Sequence, residues 1–352
     1  MSRFLGIALL LVAVALASSL WLSRSPYDSA LDPAALREVS IAPPEQALSF
    51  ARSAGRLLLV LRYAENKVDA VDLTAQFALD HDDPLRTYAA LGYDALAGAA
   101  TAPRISVAVS ALELPLLAPA HNLAIGTNYR EHAREAGLEE QPFLFPKIAA
   151  PTRHDIAVPK GTSARLDYEA ELGLVVLEDL DGPTPAPARM GLVLCNELTD
   201  RWALVRNFKR GSEMGTSGFV DGKSRDGFSV LGPLLVIPRD LAAFYPQLRL
   251  QLWRNGLLRQ DGIAADMVWN PAQQLQQFFA RADWSFHRGD GTVALLPQPK
   301  RITAGTVIFS GTPAGVIFKP HNLWASWLYL QPGEDVAIRA DYLGVIRNRI
   351  LD

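Results

Sequence analysis

From about residue 120 to the C-terminus the chain is cut into short apolar runs separated by Gly and Pro, a punctuation that admits many short strands and few long helices. The most informative run is Asp167-Tyr-Glu-Ala-Glu-Leu-Gly-Leu-Val-Val-Leu177, where an aliphatic, β-branched stretch follows the acids and predicts a strand. Side chains two apart on a strand share a face, so Glu169 and Glu171 project side by side. Carboxylates that close repel each other unless a proton or cation lies between them. Hard oxygen ligands on a rigid element suit Mg²⁺ or Mn²⁺. The competing reading is an exposed strand face with two solvated glutamates.

Further segments carry groups of the same kind. Gly191-Leu-Val-Leu-Cys-Asn-Glu-Leu198 ends an apolar run on Glu197, which needs a partner. That partner is either Arg201, four residues on, or a metal shared with the first two acids. In Gly126-Thr-Asn-Tyr-Arg-Glu-His132-Ala-Arg-Glu135 a strand end turns into a helix. His132 and Glu135 then share one helical face, where the carboxylate orients the imidazole as a general base requires; otherwise they are a surface pair. Asp221 to Pro233 reads as a glycine-bracketed loop presenting Lys223, a cation suited to a developing enolate or carboxylate. It has neither a nucleotide fingerprint nor P-loop spacing. Val307-Ile-Phe-Ser-Gly-Thr-Pro-Ala-Gly-Val316 predicts a strand entering a tight turn, whose amides and Thr312 hydroxyl can bind a carboxylate.

Phe4 to Leu22 is apolar apart from a glycine and two serines. As a helix it would reach roughly 28 Å, close to a bilayer's hydrocarbon thickness. Three readings compete: an uncleaved anchor, a signal peptide cut after Ala15-Leu16-Ala17, and a buried helix. The run continues past that triplet through Leu20-Trp21-Leu22, which favours the anchor. The expectation is a single-pass inner-membrane anchor with the catalytic domain in the periplasm; the alternative is release into the periplasm after cleavage. Residues 1–25 are thus the anchor or signal segment, 26–45 a linker, 46–114 a small N-terminal lobe and 115–352 the main domain. Within it Pro183 to Pro187 reads as a surface turn. A net charge of -3 gives no basic excess to attract nucleic acid, and the single Cys195 closes no disulfide within the chain.

The order of the motifs is more specific than any one of them. Gly-Thr-Asn-Tyr-Arg-Glu-His, Asp-Tyr-Glu-Ala-Glu-Leu, Asn-Glu-Leu-Thr-Asp-Arg, Asp-Gly-Lys-Ser-Arg-Asp-Gly-Phe, Arg-Gln-Asp-Gly at 259 to 262 and Ser-Gly-Thr-Pro-Ala-Gly-Val resemble the fumarylacetoacetate hydrolase family over about residues 114 to 350. The resemblance implies an α+β, β-rich fold, a mixed β-sandwich roll that is usually a homodimer, with Mg²⁺ or Mn²⁺ at its mouth. It implies Glu169, Glu171 and Glu197 as metal ligands, and His132 with Glu135 as the pair that activates water. It gives Lys223 to the reacting oxygen, and Arg201, Thr312 and Tyr129 to the substrate. The activity implied is hydrolysis of a carbon–carbon bond in a small 2-oxo acid such as an acylpyruvate. Decarboxylation, dehydration or isomerisation on the same platform is the first alternative, and a non-catalytic membrane-tethered binding homologue the second. Two departures stand out. Glu197 occupies the place of the usual aspartate, and Leu204 that of a substrate-binding glutamine. The stretches 279–299 and 320–332, the latter with Trp324, Trp327 and Tyr329, look longer than usual; packing is the default reading of those aromatics.

Overall fold

The acid-bearing run forms the strand Ala170–Val176, paired antiparallel with Met190–Glu197 so that Glu171 stands opposite Cys195 and Ala170 opposite Asn196. A further bond from the Glu197 amide to the Glu169 carbonyl, 2.9 Å, extends this register to the acids themselves. Both strands are buried along their whole length, which is why they read as continuous apolar runs rather than alternating ones. Leu172, Leu174, Leu192 and Leu194 are fully buried, each contributing about 1.5–3 kcal/mol by leaving water. Gly173 allows the close approach: a Cβ there would stand 2.6 Å from the Cys195 sulfur.

This computed structural model describes residues 2–24, 27, 29–138, 141–182 and 189–352. The strand pair sits centrally in a mixed sheet ordered Arg104–Ala108, Lys67–Asp72, Arg56–Ala64, Ala47–Ser53, Leu235–Pro238, Met190–Glu197, Ala170–Val176, Val307–Phe309, His121–Gly126 and Phe143–Ile148. Val307–Phe309 runs parallel to His121–Gly126; the other neighbours in this order are antiparallel. A second sheet, ordered Leu257–Ile263, Arg249–Arg254, Asp335–Ala340, Gly344–Leu351 and Ala157–Pro159, lies against it. Asn196 donates to Asn348 at 3.0 Å across the two, and Gln260 accepts from the Ala170 amide at 2.9 Å. The fold is therefore α+β and β-rich, as expected.

Several sequence expectations need correction. Residues 46–114 contribute four strands, the short helix Leu73–Gln76 and the helical stretch Pro84–Gly98 kinked at Gly92, and the strands extend the main sheet through the pairing of Ala47–Ser53 with Leu235–Pro238. The presumed linker is in part packed: Leu36, Val39 and Ala42 are buried in the core and Val39 bridges Tyr63. Its apolar residues lack a helical or strand period, so their burial had no local signature. Lys223 lies not in a loop but at the end of the short helix Phe219–Lys223. The long stretch 279–299 contains the hairpin Ser285–Arg288 and Gly291–Ala294. The turn expected at Pro183 to Pro187 falls outside the described residues.

Ser2–Leu22 is a single helix, and Phe4–Leu22 is long and apolar enough to cross a membrane. Its apolar side chains are exposed, while Ser19 is buried, donating to the His321 carbonyl at 2.7 Å and accepting from the Trp324 indole at 3.2 Å. Of the aromatics in 320–332, Tyr329 is packed inside, whereas Trp324 and Trp327 form an edge-to-face pair and remain 41% and 58% exposed.

Candidate active site

Glu169 and Glu171 line a small cavity and Glu197 meets them behind it, each offering a carboxylate oxygen within 4.8 Å of the others. The register explains the meeting: Glu169 and Glu171 flank Ala170 on one edge, and Glu197 ends the neighbouring strand beside them. All three are buried, so the reading of two solvated glutamates is corrected. Burial in a medium of low dielectric raises the cost of so many negative charges.

Positive charge offsets that cost unevenly. Lys223 Nζ sits between the acids, bonded to Glu169 and, at 2.5 Å, to Glu197 Oε2. Arg201 bonds Glu169 and reaches Asp167 at 2.8 Å. Arg201 thus does not serve Glu197, as one reading of the sequence had it, because Glu169 and Asp167 take its guanidinium. Burial pushes the Glu169 carboxyl up, but Lys223 and Arg201 outweigh it and hold it at about 2. Glu171 gets little such help. Burial, then Glu197 and Glu169, push its carboxyl well above the ordinary range, against the charge of Lys223 and one amide bond from Gly311 at 3.0 Å. Glu197 Oε1 has no hydrogen-bond partner among the described residues: Lys147 Nζ lies 3.3 Å away, close enough to pair by charge but not aligned to donate.

An orphaned carboxylate oxygen and a second carboxylate that is costly to ionise, converging with a third, are what a hard divalent cation satisfies. The residues present therefore fit a divalent metal ion.

His132, on the helix Arg130–Glu135, lines the cavity with its Nδ1 3.4 Å from Glu135 Oε1. Glu135 in turn accepts from the amides of Gly315 at 2.9 Å and Val316 at 3.1 Å and from Lys319 at 2.9 Å. Burial raises its carboxyl, but His132 and Lys319 prevail and hold it below the usual range. The tight turn after Val307–Phe309 does bind carboxylates with its amides, as expected of its chemistry, but they are the protein's own. Gly311 holds Glu171, Gly315 and Val316 hold Glu135, and Ile317 and Phe318 hold Asp167. Gly315 has φ +109°, and a Cβ there would lie 1.9 Å from the Arg259 carbonyl oxygen, so only glycine fits.

Thr312 is on the cavity wall, its hydroxyl donating to the Ala170 carbonyl at 2.9 Å and accepting from Gln260 at 2.8 Å. Tyr129 is buried and lies outside the cavity lining. Sequence reasoning passed over two residues here. Lys147 is fully buried, donates to the Lys223 carbonyl at 2.6 Å, and is held by burial below its ordinary value despite Glu197. A lysine inside Phe143-Leu-Phe-Pro-Lys147-Ile was its signal, because a buried ammonium needs an acid. Gln260 ties the acid strand to the turn, and its motif was noticed without a role.

Fold and site together define a β-rich protein whose buried acids face a small cavity beside a His–Glu pair. Comparison with known proteins places it more closely. The family described as Fumarylacetoacetate (FAA) hydrolase C-terminal matches residues 122–351. Oxaloacetate tautomerase YisK of Bacillus subtilis is 28% identical over 252 residues, 68% of this chain and 72% of that protein. An uncharacterized protein of Staphylococcus aureus is 30% identical over 247 residues, 67% of this chain and 71% of its own. Fumarylacetoacetate hydrolase from Exiguobacterium antarcticum superposes with a TM-score of 0.62 over 87% of this chain and 99% of its own, at 24% identity. The chain belongs to the fumarylacetoacetate hydrolase family, whose members are hydrolases, isomerases and tautomerases acting on 2-oxo acids.

Proposed function

We propose that this protein is a divalent-metal-dependent hydrolase that cleaves a carbon–carbon bond in a small acylpyruvate-like 2-oxo acid. The observation that carries the reading is the convergence of Glu169, Glu171 and Glu197, with Glu197 Oε1 left without a donor among the described residues, beside a cavity that Glu169, Glu171 and His132 line. When bound there, Mg²⁺ or Mn²⁺ supplies Lewis acidity toward a chelating 2-oxo carboxylate. His132 takes a proton from water, and Glu135, itself fixed by the turn amides, orients the imidazole. Lys223 brings a positive charge to the place where the leaving enolate gathers negative charge. Arg201 and Thr312 stand on the same wall, where Arg201 braces Glu169 and Thr312 ties the turn to the acid strand.

Purified protein with Mn²⁺ should convert butyrylpyruvate to butyrate and pyruvate, and a chelator should abolish the conversion. Turnover indifferent to chelator would overturn the metal reading. A second reading, tautomerisation, is favoured by the name of the Bacillus relative and by a base that can move a substrate proton without water. It would show as solvent-deuterium exchange at the carbon next to the 2-oxo group with no cleavage.

The apolar helix belongs, on this proposal, in the inner membrane, with the catalytic domain on the periplasmic side. Its exposed apolar surface and the neighbouring pair Trp324 and Trp327, residues at home in a membrane interface, support that placement. Alkaline phosphatase fused after Asp352 should be active in intact cells. An inactive fusion, with a cytoplasmic reporter active at the same point, would reverse the orientation.

A further inference from the structure

Away from its acids, the cavity wall is formed by Leu138, Phe143, Leu204, Val205, Phe219 and Phe318. Phe143 and Phe219 meet edge to face with centroids 4.6 Å apart, making one side of the wall a packed aromatic surface. Leu204 and Val205 come from the helix Arg201–Arg206, the first of them at the position where the family resemblance leads one to expect glutamine. Of the cations among the described residues that line the cavity, Arg201 stands beside this wall, its guanidinium 5.4 Å from the centre of the Phe318 ring. The two that line the cavity, Arg201 and Lys223, are spent on Asp167, Glu169 and Glu197 at its base. The wall hydroxyls are engaged too: Thr127 donates to the Gln141 carbonyl at 3.1 Å and Thr312 to that of Ala170.

A substrate whose 2-oxo carboxylate lies at the acids must direct its other end along this wall. A second carboxylate there would be stripped of water and, among the described residues, meet only cations already bonded to the protein's own acids, whereas an alkyl or aryl end would bury apolar surface. We infer that the enzyme selects 2-oxo acids with one carboxylate and an uncharged, apolar distal end, and rejects dicarboxylates. The inference rests on the 2-oxo-acid reading and adds to it the chemistry of the leaving acyl group. For butyrylpyruvate, the oxygen of water bonds to the acyl carbonyl carbon and the bond between that carbon and the adjacent methylene breaks. The electron pair of that bond leaves with pyruvate as its enolate, which takes up one proton, and the acyl group departs as butyrate.

Butyrylpyruvate and succinylpyruvate differ only in carrying a methyl or a carboxylate at the distal end, and they isolate this term. With the full chain in detergent micelles and Mn²⁺, kcat/KM for butyrylpyruvate should exceed that for succinylpyruvate by at least about a hundredfold. The uncleavable pair 2-oxohexanoate and 2-oxoadipate, titrated by calorimetry, should show the same order in affinity. Leu204→Arg should narrow the preference at least about tenfold by offering the missing cation. If that variant fails to fold, Val205→Arg makes the same test from a more exposed position. Equal or better handling of succinylpyruvate, with both compounds bound, overturns the inference while leaving the 2-oxo-acid reading intact. Binding of neither pair removes that reading and the inference with it.

Discussion

Glutamine in place of Glu171 should lower metal-dependent turnover of butyrylpyruvate by about a thousandfold and leave the metal-free protein as stable as before, or more so. The rate loss follows from removing one of three ligands: Lewis-acid stabilisation of several kcal/mol is withdrawn, and about 4 kcal/mol corresponds to about a thousandfold. The stability change has the opposite sign for an electrostatic reason. Glu171 is raised by burial and by its two neighbours, and neither the charge of Lys223 nor the Gly311 amide offsets them. An amide side chain of the same shape removes that repulsion and can still accept from Gly311. Thermal unfolding in chelator should show an unchanged or higher midpoint, while the upward shift on adding Mn²⁺ should disappear. A variant that keeps both its metal-induced shift and its turnover would exclude Glu171 as a ligand.

Methionine in place of Lys223 should act the other way and destabilise the metal-free protein by about 3–5 kcal/mol, the usual cost of leaving buried charge without its partner. Lys223 is nearly inaccessible and touches both Glu169 and Glu197, so its removal exposes two carboxylates to each other. Urea denaturation in chelator measures the loss. Saturating Mn²⁺ should recover more stability in the variant than in the parent, because the ion then carries the whole of the compensation. Adding Glu169→Gln to the variant should restore part of the stability, a coupling that a simple packing defect would not show. A loss below about 1 kcal/mol would mean that Lys223 does not hold the acids together.

The parts of this site that could be read from the chain are those whose geometry is local. Glu169 and Glu171 share an edge because strands alternate, and His132 reaches Glu135 because helices return every three to four residues. Glu197 was recognisable as an acid at the end of a buried run. Its true neighbours were not, because pairing is decided by which strands and helices come together. Lys223 meets Glu197 across 26 positions and Glu169 across 54, and Lys147 meets the Lys223 carbonyl across 76. No periodicity encodes such distances. The same limit applies to the turn at 311–318, whose amides were correctly taken for carboxylate binders. Their occupants are 140 to 180 residues away in sequence, so a substrate was the natural guess and the protein's own acids were the answer. The segment 26–45 illustrates the reverse case: an aperiodic, proline-punctuated texture concealed Leu36, Val39 and Ala42, which find their places only against the completed sheets.

That turn has an evolutionary corollary. One short stretch of backbone fixes Glu171, Glu135 and Asp167, the last of them the anchor of Arg201, so a small displacement of it would move all three together. The wall residues Leu138, Leu204, Val205 and Phe219 sit on other segments and share none of those bonds. Such a division of labour lets lineages retool what the protein accepts by ordinary side-chain drift while its reactive apparatus stays in one piece.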